Sequence, residues 1–147
     1  MKLLFAIVLL ALMPVVTFAQ TSGEGMPVAI FQPVENRDLS QFLWTNRVII
    51  VFSDTPADPR YAEQIKLLRE GIDMLEERDV VILTDTDLAA NSPIRQKLRP
   101  RGFAMVLVDK DGGVKLRKPA PWTVREITRS IDKTPMRQRE VEERRGE

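Results

Sequence analysis

The sequence predicts an α/β domain: a four-stranded mixed sheet flanked by helices, in the order β-α-β-(α)-β-β-α. Three observations carry this. Two wholly apolar runs, residues 48–52 (Val-Ile-Ile-Val-Phe) and 80–83 (Val-Val-Ile-Leu), are joined by one long amphipathic stretch. That is the pattern of a right-handed parallel βαβ unit whose strands are buried on both faces. A third apolar run, residues 103–108, passes through Asp111-Gly112-Gly113 into residues 114–117, where Val114 and Leu116 alternate with Lys115 and Arg117. This reads as an antiparallel hairpin with positive-φ residues at its tip and one exposed face. Thr123-Val124-Arg125-Glu126 then has the spacing of a capping box that opens a closing helix.

Taken in order, residues 1–19 read as an address. Lys2 gives a positive start, residues 3–18 are apolar except for Thr17 and the breaker Pro14, and Thr17 and Ala19 are small residues ahead of Gln20. This is the plan of a secretory signal peptide. The apolar run is too short and broken for a bilayer span, which needs about twenty apolar residues. The expectation is a secreted or periplasmic protein, cut between Ala19 and Gln20, with no transmembrane helix after processing. Residues 20–37 are a leader and edge segment. The part bounded by Pro27 and Pro33 is either an edge strand or a docked extended stretch.

Residues 38–135 hold the domain. Asp38 is placed to cap a brief turn carrying Leu39, Phe42 and Leu43. Asp58-Pro59 reads as an N-cap followed by a proline at the first helical position. Tyr61, Ile65, Leu68, Ile72 and Leu75 then form one apolar stripe at helical spacing, with charged residues around it. Gly71 inside that helix predicts close packing, since it costs about 1 kcal/mol against alanine. Ser92-Pro93 starts a short helix that ends before Pro100, and Pro135 stops the last helix. Residues 136–147 are charged and lack an apolar stripe, so they are expected to fray. Trp44 and Trp122 each precede a regular element. Each reads as a lid over the end of the core or, alternatively, as an interface anchor.

The 147-residue chain has no cysteine and no histidine, which excludes thiol redox chemistry, Cys/His zinc sites and histidine acid–base catalysis. With 22 basic and 21 acidic residues its net charge is +1. The charges are nevertheless segregated. Residues 54–91 carry ten acidic and four basic side chains, whereas residues 93–129 carry ten basic and three acidic. Lys115 and Arg117 are expected on one strand face, with Arg95, Arg99 and Arg101 flanking the neighbouring strand. Arg99, Arg101, Lys115 and Arg117 are therefore the candidate anionic-ligand surface. Few aromatic residues interleave these charges, so nucleic acid is not expected as a partner.

Three stretches add a resemblance. They are residues 42–47 (Phe-Leu-Trp-Thr-Asn-Arg), residues 107–117 (Leu-Val-Asp-Lys-Asp-Gly-Gly-Val-Lys-Leu-Arg) and residues 131–137 (Ile-Asp-Lys-Thr-Pro-Met-Arg). Over roughly residues 38–137 the chain resembles the domain-of-unknown-function family DUF 4174. That family is similar to a peroxiredoxin-like domain of secreted sushi-repeat and coiled-coil-domain matrix proteins. The resemblance implies a thioredoxin-like fold and an exported location, and no assigned activity. In thioredoxin-like enzymes the working thiol sits where the first core strand meets the first long helix. Here Asp54, Thr55 and Asp58 occupy that loop, Asp58 standing in the thiol position of a Thr-x-x-Cys frame. Arg101-Gly102-Phe103 replaces the proline those enzymes carry before the next strand.

The leading expectation is a non-catalytic binding or accessory module. It needs no cofactor, and its partner is a protein, an anionic polymer or a headgroup. The rival is an enzyme, or a metal-assisted one, using carboxylates of Asp54, Asp58, Asp85 and Asp87 at the carboxyl edge of the parallel strands.

Overall fold

The computed structural model describes residues 30–147. The expected signal segment and cleavage point and the expected leader up to residue 29 lie outside the described residues. Five strands form one sheet in the order β1-β3-β2-β4-β5: β1 (Phe31–Pro33), β2 (Arg47–Phe52), β3 (Val80–Asp85), β4 (Ala104–Val108) and β5 (Val114–Lys118). β3 runs parallel to both β1 and β2, whereas β4 is antiparallel to β2 and to β5. The fifth strand is β1, from the segment that the sequence left as edge strand or docked stretch. Pro33 has no N–H to give a ladder, and an edge is where a strand tolerates it.

Side chains alternate across the sheet, so the apolar strands supply two cores. On one face Val48, Ile50, Phe52, Val81, Leu83, Val106 and Val108 pack under Leu39 and Phe42 of a 3-10 turn and under Ile94 and Leu98. Those last two belong to α3 (Pro93–Leu98). On the other, Ile49, Val51, Ile82, Met105 and Leu107 meet Leu68, Leu75, Val124, Ile127 and Ile131. These come from α1 (Pro59–Glu70), α2 (Ile72–Glu76) and α4 (Val124–Asp132).

The single helix expected from Tyr61 to Leu75 is divided at Gly71. A β-carbon there would stand 2.6–2.8 Å from the side-chain carbons of Val124, so only glycine lets α4 approach this closely. The hairpin tip needs one left-handed residue, Gly112 (φ 83°), rather than a pair. Gly113 instead donates its N–H to Asp111 Oδ1 at 2.8 Å. The expected capping box is present, with the Thr123 and Glu126 side chains each accepting the other's backbone N–H.

Two expectations are corrected. Residues 136–147 do not fray: α5 (Pro135–Gly146) follows a Thr134 N-cap, and Pro135 starts that helix rather than only ending the one before. What holds α5 is charge, described below, which leaves no apolar stripe to read. The simple alternation of β5 also fails. Leu116 pairs with Leu107 but Val114 pairs with Val108, so Lys115 is an extra, bulged residue. Val114 and Arg117 therefore sit opposite Val108 and Val106, and Lys115 has no partner in the ladder. Among the described residues no helix is long and apolar enough to cross a membrane.

Candidate functional site

The loop between β2 and α1 is closed by its own side chains. Asp58 accepts the Arg60 backbone N–H at 2.9 Å and binds the Arg60 guanidinium through both oxygens. Those side-chain and backbone hydrogen bonds from Arg60 hold its carboxyl below the usual aspartate range. It is a helix cap. Thr55 Oγ1 accepts the Ala57 N–H at 3.3 Å, and Asp54 is half exposed, 3.8 Å from Arg95 Nη1.

Beneath this loop lies a buried ion pair. Arg95 Nη2 donates to Asp85 Oδ1 at 2.8 Å and to the Ser53 carbonyl at 2.9 Å, while Ser92 Oγ donates to Asp85 Oδ2 at 2.8 Å. The guanidinium also lies over the Phe52 ring, 5.4 Å from its centre. Arg95 thus joins the ends of β2 and β3 to α3 and is not one of the surface cations. Asp85 Oδ1 also accepts the Asp87 N–H at 3.3 Å, and Asp87 Oδ1 accepts the Ala90 N–H at 3.1 Å. Of the four aspartates of the rival reading, Asp54 and Asp85 share Arg95 as counter-charge, while Asp58 and Asp87 accept local backbone N–H groups, and nothing in this geometry supports a shared acid–base or cation site. Among the described residues no three acidic side chains gather as a metal-binding group.

The basic residues behave differently. Arg99, Arg101 and Arg117 line one groove of about 410 Å³, with Lys118 beside them and Leu98, Phe103, Ala104 and Pro119 as its apolar part. The C-terminal end of α3 brings Arg99 there in a left-handed backbone conformation (φ 48°), and β5 brings Arg117. Among the described residues no ion pair involves any of these three arginines, whereas Arg47, Arg78, Arg95, Lys110 and Arg137 are all paired. Lys115, the fourth residue named from sequence, is exposed but lies outside the groove's lining. The groove adjoins the β2–α1 loop, since Arg60 lies over the Phe103 ring at 5.6 Å. Lys118 was not singled out from sequence. The available signal was Trp122 four residues on, whose ring it covers at 4.2 Å.

At the opposite end of the sheet a second network was missed. Arg47, 1% exposed, places Nε 3.0 Å from Asp109 Oδ1, an ion-pair contact without hydrogen-bond alignment. Its Nη1 and Nη2 each donate to Glu140 of α5 at 3.1 Å. Lys110 Nζ reaches the same carboxylate at 2.9 Å. Burial pushes the Glu140 pKa up, but the hydrogen bonds and charges of Arg47 and Lys110 outweigh it and hold it at about 2. The two tryptophans also part ways. Trp122 packs against the core and is tied by its backbone to buried Gln64, whereas Trp44 is 70% exposed and belongs to neither core cluster.

A family model described as "Domain of unknown function (DUF4174)" matches residues 38–140. No curated protein matches the chain. Among solved structures, a reduced 2-Cys peroxiredoxin of Plasmodium vivax is similar with a TM-score of 0.54 at 19% identity, covering 65% of this chain and 81% of that one. Chloroplastic thioredoxin z follows with 0.49 at 20% identity, covering 62% and 82%. StoA from Bacillus subtilis gives 0.48 at 11%, covering 59% and 83%. The fold is thioredoxin-like, with one strand more than the four expected.

Proposed function

Since this chain belongs to the DUF4174 domain family and has a thioredoxin-like fold without a cysteine, we propose that it is a non-catalytic binding module whose basic groove holds an anionic ligand. The observation that carries this is the convergence of Arg99, Arg101 and Arg117 on one open groove with no carboxylate to neutralise them. Like charges so placed repel one another, and a bound anion relieves that repulsion. Guanidinium forks match carboxylate, phosphate or sulfate in paired hydrogen bonds. The apolar part, with Phe103 and Pro119, suits a ligand that carries apolar surface beside its charge.

The module works outside the cytoplasm, after cleavage between Ala19 and Gln20. The charged start, short apolar run and small residues of positions 1–19 support this. Intact mass of exported protein is expected to begin at Gln20, and retention of residues 1–19 counts against it.

The binding test is retention on a heparin column and titration with polyglutamate at rising salt. Binding is expected to weaken steeply with salt, because exposed charges act over about 8 Å at physiological ionic strength. Arg99→Gln/Arg101→Gln/Arg117→Gln is expected to abolish retention without altering the circular dichroism. Unchanged retention would overturn the reading.

A further inference from the structure

We infer that the ligand of this groove is a polypeptide: an acidic segment with an apolar side chain, lying along the hairpin from Trp44 to Arg117. The inference rests on the groove's being an anion site and adds a second contact to it. Trp44 takes a left-handed conformation (φ 65°), which bulky residues rarely adopt, and presents 70% of its surface to solvent. Its position is fixed. The Trp44 N–H donates to the Lys110 carbonyl at 2.8 Å, and the N–H groups of Thr45 and Asn46 donate to the Phe42 carbonyl at 3.1 and 3.0 Å. An exposed indole carried on a strained, firmly held backbone is a poor way to finish a core and a good anchor for a partner.

The surroundings extend the anchor toward the groove. Leu43, itself partly exposed, lies against Gly112 at the hairpin tip, and Val114, two residues on, is 47% exposed. The bulge at Lys115 puts Val114 and Arg117 opposite Val108 and Val106, which face the same core. Measured along β4 those two positions are two residues, about 7 Å, apart. An extended segment of three or four residues therefore reaches from the Leu43–Trp44–Val114 patch to Arg117, with Arg99 and Arg101 just beyond. Charge complementarity makes the far end of that segment acidic. Hairpin-to-hairpin pairing with a second copy of this chain is disfavoured, because it would bring Lys115 and Arg117 against their equivalents. A lipid surface fits less well, since the cations ring a concave groove to one side of Trp44 instead of surrounding it.

The test is fluorescence titration of the chain lacking residues 1–19, using a hexapeptide with three glutamates at one end and Leu-Phe at the other, beside hexaglutamate. The mixed peptide is expected to bind about tenfold more tightly and to blue-shift the emission. Trp44→Ala is expected to abolish the shift and lower the mixed peptide to the hexaglutamate level, leaving hexaglutamate binding intact. Equal binding of both peptides, insensitive to Trp44→Ala, overturns the inference while the anion groove stands. Binding of neither overturns both. A blue shift with anionic phospholipid vesicles and none with the peptide assigns the patch to a lipid surface and overturns the polypeptide reading.

Discussion

Arg95 and Asp85 form an ion pair in which both side chains are 4% exposed, with Nη2 2.8 Å from Oδ1. It lies directly beneath the loop where thioredoxin-like enzymes place their thiol. An aspartate at the carboxyl end of a parallel strand is a natural candidate for chemistry, and here it is instead the counter-charge of a structural arginine. The arginine also ties down the Ser53 carbonyl, so the loop rests on a charged pillar.

Arg95→Met is accordingly expected to destabilise the domain by about 3–5 kcal/mol, the cost of leaving one buried charge without its partner. Adding Asp85→Asn removes the stranded charge and is expected to recover a large part of that loss. Urea unfolding of the parent, the two single variants and the double variant checks it. If the double variant is as unstable as the sum of its singles, the two residues act independently and the pillar account is wrong.

Glu140 gives the fold a dependence on acid. Its pKa is held at about 2 in the folded state against an ordinary 4.5. A depressed carboxylate contributes stability that is complete above its unfolded value and is lost as pH falls through the folded one. The contribution is expected to be full above about pH 4.5 and to drain away toward pH 2. Glu140→Gln is expected to be less stable at neutral pH and to show a flatter slope across that window. Amide exchange is the local readout: α5 should lose protection before the strands do.

Gly71 and Val124 make a purely steric prediction. Restricting the unfolded chain would favour Gly71→Ala by about 0.4–1 kcal/mol, but the added carbon would stand 2.6 Å from Val124 Cγ1. Overpacking costs about 1–3 kcal/mol, so the variant is expected to be net destabilised. Gly71→Ala/Val124→Ala removes the clash and is expected to be more stable than the sum of the two single changes predicts. Thermal unfolding of the four proteins settles the sign.

What the sequence disclosed follows from which forces leave a local trace. β2 and β3 were legible because central parallel strands carry near-continuous apolar runs, and Asp58 and Thr123 because caps act within three residues. The α5 helix was not, because its support comes from Arg47, 93 residues away from Glu140, and charge at that range has no periodicity. Arg95 was grouped with the surface cations for a related reason: a sequence shows a charge but not its burial. The site was half legible. Arg99, Arg101 and Arg117 do converge, yet the bulge that sets Lys115 apart depends on strand register, and Trp44 and Trp122 look alike until packing separates them.

That bulge yields the sharpest contrast between neighbouring residues. Lys115 and Arg117 carry the same charge two positions apart on one edge strand, and plain alternation would make them equivalent. With Lys115 displaced from the pairing, only Arg117 lines the groove. Arg117→Gln is therefore expected to weaken polyanion retention several-fold, because it removes one of three guanidinium forks. Lys115→Gln is expected to shift it only slightly, through the general potential that salt screens over about 8 Å. Both variants should unfold within about 1 kcal/mol of the parent, since neither residue is in an ion pair among the described residues and exposed charges contribute little. Lys115 has a separate task in this picture. A bulged cation on an outer strand discourages pairing with another chain's edge, so Lys115→Val is expected to raise the tendency to self-associate, measured by sedimentation at rising concentration. Equal loss of retention in the two glutamine variants would mean that the ligand reads the whole edge and not the groove.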